Sequence, residues 1–117
     1  MLPYSHMPSL HQQHCVPCEG GVPALQKPEA LKLAADVQGW DISADATSIS
    51  KKFHFETAKQ ALIFINKVGE IAEQEQHHPD IHWWWNTVQL ISTTHAIKGL
   101  SNNDFILASK INQIPLS

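Results

Sequence analysis

The chain has 117 residues, 43% of them hydrophobic, and a net charge of −3 with histidine neutral. This is enough apolar material for one core in one domain, and at this size association with further copies would improve burial. The acidic balance argues against a general nucleic-acid or membrane-surface binder, and no apolar run approaches the roughly 20 residues of a transmembrane helix.

The opening MLPYSHMPSL lacks a basic n-region and an apolar h-region, so a cytoplasmic protein without a signal peptide is expected. Residues 1–27 are rich in Pro, Gly, His and Gln without a sustained period, and predict an extended or mobile arm. Ser5-His6-Met7 resembles a remnant of cloning. Cys15 and Cys18 form a C-x-x-C pair, too few for a disulfide framework. His11 and His14 could complete four zinc ligands with them. Pro17, Gly20, Gly21 and Pro23 leave no strand or helix around the pair, so reduced thiols in an irregular arm are expected.

Residues 28–117 predict a single α+β domain. Pro28 suits a first helical turn, with Leu31, Ala34, Ala35 and Gln38 sharing a face and Gly39 ending the helix. Trp40–Ser43 reads as a short strand and Ala44–Ala46 as a turn. From Ser48 to Phe55 the period is two: Ile49, Phe53 and Phe55 point one way, interrupted by Lys51, and Ser48, Ser50, Lys52 and His54 the other. A long helix spans 57–76, with Thr57 as N-cap. Its predicted buried face is Ala58, Ala61, Leu62, Ile65, Val68, Gly69 and Ala72. Phe64 and Ile71 form a second apolar patch, offered to another element or subunit. Residues 81–94 predict one long strand or two short ones. Gly99 marks a turn, and Ser101 with Asp104 caps a last helix whose face is Leu107, Ala108, Ile111 and Ile114. This order favours an antiparallel sheet with helices packed on one face.

Eight histidines are unusual for this length, and four fall between residues 77 and 95. His77 and His78 lie at a helix–strand junction pinned by Pro79, and His95 lies at the far end of the following strand region. Imidazoles titrate near working pH and suit proton transfer. Plainer readings exist for each residue: a solvated loop pair for His77-His78, a strand end for His95, a helix cap for Asp104, a solvated charge for Glu73. Strand alternation puts Trp84 opposite Trp83 and Trp85. One of those faces could stack on a flat ligand, though tryptophan more commonly packs in a core or interface. His54 and His82 read as surface strand residues. Zinc held by His77, His78, His82 and His95 is the lesser reading, because neighbouring strand residues point to opposite faces and no HExxH helix is present.

The spacing Glu73, x3, His77-His78-Pro79, x5, Trp85, x9, His95, x8, Asp104 resembles the signature of the pterin-4a-carbinolamine dehydratases. AEQEQHHPD and TTHAIKGLSNNDFILASKI match as well, KKFHFETAKQALIFINKV more weakly, and CVPCEGGVPAL resembles the start of some members. The resemblance implies a four-stranded antiparallel sheet with three helices on one face, assembled as homodimers or homotetramers. It implies a hydro-lyase that converts 4a-hydroxytetrahydrobiopterin to quinonoid dihydrobiopterin. That reaction recycles tetrahydrobiopterin beside aromatic amino-acid hydroxylases, with no cofactor or metal. By the same resemblance His77 and His95 are acid–base candidates and His78 contacts or orients the pterin. Glu73 and Asp104 orient the rings, with Pro79, Trp85 and Thr94 as further binding or orienting positions. One departure stands out: Ile81 replaces an aromatic residue found in many members, so that either a contact to the pterin is lost or Trp83 or Trp84 supplies it from a shifted position. The alternative is a module of the same fold that dimerises a transcription regulator, with Phe64 and Ile71 as its surface.

Overall fold

A computed structural model describes residues 9–16 and 23–116. Cys18 and Ser5-His6-Met7 lie outside the described residues. The elements in chain order are α1 (Lys27–Ala34), β1 (Asp41–Ile42), β2 (Ile49–His54), α2 (Ala58–Glu75), β3 (Asp80–Trp84), β4 (Thr87–Ser92) and α3 (Asn102–Asn112), with short 3-10 turns at Leu10–Gln12 and His95–Ile97. The strands form one antiparallel sheet in the order β1-β2-β4-β3. The expected α+β fold, four strands and three helices, is therefore present.

Alternation sets the sheet's two faces. Ile49 and Phe53 of β2 and Val88, Leu90 and Ser92 of β4 are buried beneath the helices, whereas Ser50, Lys52, His54, Gln89 and Ile91 are not fully buried. Lys51, the interruption in the inward face, keeps its stem against the core. Its Nζ donates to Gln38 O and Asn112 Oδ1, both at 3.0 Å, and lies 4.9 Å from the centre of the Phe53 ring. Residues 81–94 form two strands, a hairpin whose Trp85 takes a positive φ of 52°. Asn86 ties that turn to β2, since its Nδ2 donates to Phe55 O at 2.8 Å and Phe55 N donates to Asn86 O at 2.9 Å.

The buried face of α1 differs from expectation by one step in phase, whereas α2 keeps most of its expected face, with Ala61, Val68 and Ala72 buried and Ile65 packed on the core. In α1 the buried series is Ala30, Leu33, Ala34 and then Val37, while Leu31 is exposed. In α2 Phe64 is 3% exposed and stacks on Phe53 and Phe55 at centroid distances of 4.5 and 5.2 Å, so it belongs to the core and offers no patch to a partner. Ile71 packs on the same core, whereas Leu62 is 43% exposed. One residue turns a helix by about 100°, so a register shifted by one step moves the apolar face a quarter turn or more. In α2 the face is widened on one side by Phe64, which packs against Phe53 of β2 and Phe55 just beyond it.

α3 is buried from Asn103 to Ser109 without a break. An isolated amphipathic helix would show one buried stripe. Here α1, α2 and the 3-10 turn at Leu10–Gln12 all pack against it, with Lys110 Nζ donating to His11 O at 2.9 Å, and Ser92 of β4 reaches it at Asp104.

Candidate active site

α2 ends at Glu75, four positions before Pro79. Gln76 takes the left-handed conformation (φ 52°) as C-cap, and His77 N donates back to Ala72 O at 3.2 Å. This reversal throws His77 and His78 off the helix axis toward the start of α3. Proline then restricts His78 to extended backbone, which leads into β3.

Asp104 is the centre of the arrangement. It is 0% exposed and accepts four hydrogen bonds. Oδ1 takes Ser92 Oγ–H at 2.6 Å and His77 Nε2–H at 2.7 Å. Oδ2 takes Thr94 Oγ1–H at 2.7 Å and the Ser101 N–H at 3.0 Å. The last bond completes a capping box at the α3 N-terminus, where Ser101 Oγ accepts from Asn103 N at 3.2 Å. Asp104 is thus both helix cap and partner of a histidine, and the positive end of the helix dipole favours its negative charge. A carboxylate only accepts, so the proton of the contact sits on His77 Nε2 and Nδ1 is the ring nitrogen left for other chemistry.

His77, His78 and His95 line one cleft of about 510 Å³, with Thr94 beside them. His95 opens the 3-10 turn that follows Thr94, and Lys98 (φ 54°) closes that turn. Thr94 and Gly99 bridge across it, with Thr94 N donating to Gly99 O at 2.8 Å. Glu73 pairs through Oε2 with His78 Nε2 and not with His77, and both side chains of that pair are largely exposed. Pro79 and Trp85 do not line the cleft; Trp85 is 72% exposed at the β3–β4 turn, where its carbonyl accepts Trp83 Nε1–H at 2.6 Å. Neither Ile81, Trp83 nor Trp84 lines the cleft either, so within one chain they do not supply the aromatic contact considered for this site. Among the described residues no three His, Cys, Asp or Glu side chains converge on a common point suited to a metal ion.

The cleft has a second wall, which the spacing of the histidines does not reveal. Cys15 and Val16 line it from the amino-terminal segment, and Glu75 and Asn103 line it beside them. Glu75 Oε1 accepts the Cys15 N–H at 2.8 Å, and its Oε2 accepts from His14 Nδ1 at 3.0 Å, with Lys110 Nζ at 3.7 Å. Burial pushes the Glu75 carboxyl up, but the Cys15 N–H, His14 and Lys110 together hold it below its ordinary value. Burial, reinforced by the negative charges of Glu75 and Asp104, pushes the Cys15 thiol up to about 12. Cys15 is therefore a neutral thiol rather than a nucleophile. Two signals could have drawn attention here: a glutamate in the last turn of α2, where the helix dipole disfavours it, and Ser92 on the inward phase of an otherwise apolar strand.

A family model described as "Pterin 4 alpha carbinolamine dehydratase" matches residues 23–114. A Rubrobacter xylanophilus protein named "Putative pterin-4-alpha-carbinolamine dehydratase" is 40% identical over 108 residues, covering 92% of this chain and 100% of its own. A Rickettsia canadensis protein of the same name is 45% identical over 106 residues, covering 90% of this chain and 96% of its own. A crystal structure titled as a transcriptional coactivator/pterin dehydratase from Brucella melitensis superposes with a TM-score of 0.72 at 26% identity, covering 76% of this chain and 95% of that one.

Proposed function

The chain belongs to the pterin-4a-carbinolamine dehydratase family, and from that premise we propose that it removes water from 4a-hydroxytetrahydrobiopterin as a hydro-lyase. One observation carries the reading: His77, with Nε2 held by the buried Asp104, shares a cleft with His95 and His78. The volume of about 510 Å³ suits a small bicyclic ligand, since such pockets run to roughly 300–1,000 Å³. The 4a-hydroxyl must be protonated to leave as water, and a proton must depart from N5 to give the quinonoid dihydropterin. His77 and His95 share those two transfers, and His78, steadied by Glu73, orients the ring. Asp104 and Thr94 are positioning residues that act through His77. No metal or organic cofactor enters this scheme. The physiological setting in this reading is tetrahydrobiopterin recycling after an aromatic amino-acid hydroxylase, by a homodimer or homotetramer.

The decisive assay follows dehydration of a synthetic 4a-carbinolamine. Wild type is expected to exceed the spontaneous rate, and His77→Ala and His95→Ala are each expected to lose roughly 10²-fold or more. The rate should describe a bell against pH, because two coupled histidines are involved. Wild-type turnover at background, or unchanged turnover in both variants, would refute the reading. The name of the Brucella melitensis structure supports a second one, a coactivator module. Dimerisation of a transcription regulator by a protein with no dehydratase activity would favour it.

A further inference from the structure

The three imidazoles and the ends of α2 and α3 make one side of the cleft polar. A pterin also has two flat faces that gain from apolar contact. Apart from the histidines, no aromatic side chain among the described residues lines the cleft, and its apolar contacts there come from small groups, chiefly Val16 and Ala96. Val16 is 64% exposed, an uncovered branched side chain at the rim of a cleft.

The backbone is held at Val16 itself and at Cys15 before it. Asn103 reads it as a strand partner would: Val16 N donates to Asn103 Oδ1 at 3.0 Å, and Asn103 Nδ2 donates to Val16 O at 2.6 Å. Cys15 N donates to Glu75 Oε1, and Cys15 Sγ donates to Asn103 O at 3.5 Å. Glu75 is 4% exposed at the negative end of a helix, a costly place for a carboxylate unless donors meet it. The donors that meet it come from His14, Cys15 and Lys110, and the first two belong to the arm. Glu75 also lies two residues before His77, so the last turn of α2 holds the arm while the chain just beyond it supplies the histidines.

We propose that residues 14–16 form a substrate-contacting wall of the cleft, with Val16 covering one face of the pterin ring and Glu75 and Asn103 as the positioning residues that latch the wall. This inference rests on the proposed dehydratase reading. The wall adds no acid or base, since Cys15 stays a neutral thiol. It adds affinity, so its loss should appear in KM.

The test uses the full-length chain. Val16→Asp places a charge on an exposed side chain that folding does not need, and should raise KM for the carbinolamine about tenfold with kcat less affected. Val16→Ile should keep the wild-type KM. Glu75→Gln, which unlatches the wall, should shift KM in the same direction, with circular dichroism confirming the fold. A reduced pterin lacking the 4a-hydroxyl should bind Val16→Asp about tenfold more weakly than wild type, read by calorimetry. Unchanged KM and unchanged affinity for that pterin in Val16→Asp, in an enzyme that does dehydrate, would overturn the wall and leave the dehydratase reading intact. Absence of wild-type turnover would overturn both.

Discussion

His77 Nε2 and Asp104 Oδ1 lie 2.7 Å apart across 27 residues of sequence, and Asp104 reaches that position because its other oxygen caps α3. Helix, strand and histidine thus share one buried carboxylate. Asp104→Asn would let an amide N–H face the ring and reverse its tautomer. Dehydration is expected to fall roughly 10²-fold. Stability should drop by about 1–3 kcal/mol, because buried donors lose their acceptor. Steady-state kinetics and urea unfolding separate the two losses. Glu73→Gln, at a largely exposed pair, should cost activity less than about fivefold.

The observed buried face of α2 has a direct energetic consequence. Phe64→Ala removes a ring packed on Phe53 and Phe55 and should cost about 3–5 kcal/mol. Leu62→Ala, on the exposed side, should cost less than about 1 kcal/mol. Urea midpoints for the two variants test the assignment, and equal losses would contradict it.

Gly99 is required for space. A Cβ there would stand 2.7 Å from the Ala24 Cβ, where Leu25 N donates to Leu100 O at 2.9 Å. Gly99→Ala should lower stability by about 1–3 kcal/mol through this overlap. Adding Ala24→Gly should recover part of the loss, measured by thermal melts of the single and double variants.

Glu75 should make the fold acid-sensitive. Its folded carboxyl lies below the ordinary 4.5, so its contribution to stability is present above that value and fades as pH falls through the lower, folded value. Wild type should be more stable than Glu75→Gln at neutral pH, and the gap should shrink below about pH 4.5. Urea titrations of both proteins across pH 3–7 are the measurement, and a gap that widens in acid would contradict the sign.

Much was legible before any coordinates. Period two in β2, the Thr57 cap and the Ser101–Asp104 box are local, and the structure keeps each of them. The apolar faces of α1 and α2 were less so. Leu31 and Leu62 are as apolar as the residues that are buried, and only the shape of the sheet beneath selects Ala30 and Phe64. By the family resemblance Glu73 was expected to orient an imidazole ring. The left-handed Gln76 swings His77 away toward Asp104 and leaves Glu73 to His78.

Sequence by itself determined the α+β order and the family, and put forward His77, His78, His95 and Asp104 as candidates, because caps, alternation and motif spacing are written in neighbouring residues. Only the tertiary structure decided that Asp104 holds His77, that Trp83, Trp84 and Trp85 stay outside the cleft of their own chain, and that Glu75 and Asn103 hold Cys15 and Val16 against it. These are contacts between residues distant in sequence, up to 88 positions apart for Cys15 and Asn103. No local propensity encodes them; they arise when helix ends, a sheet and an arm pack around two buried carboxylates, Asp104 and Glu75.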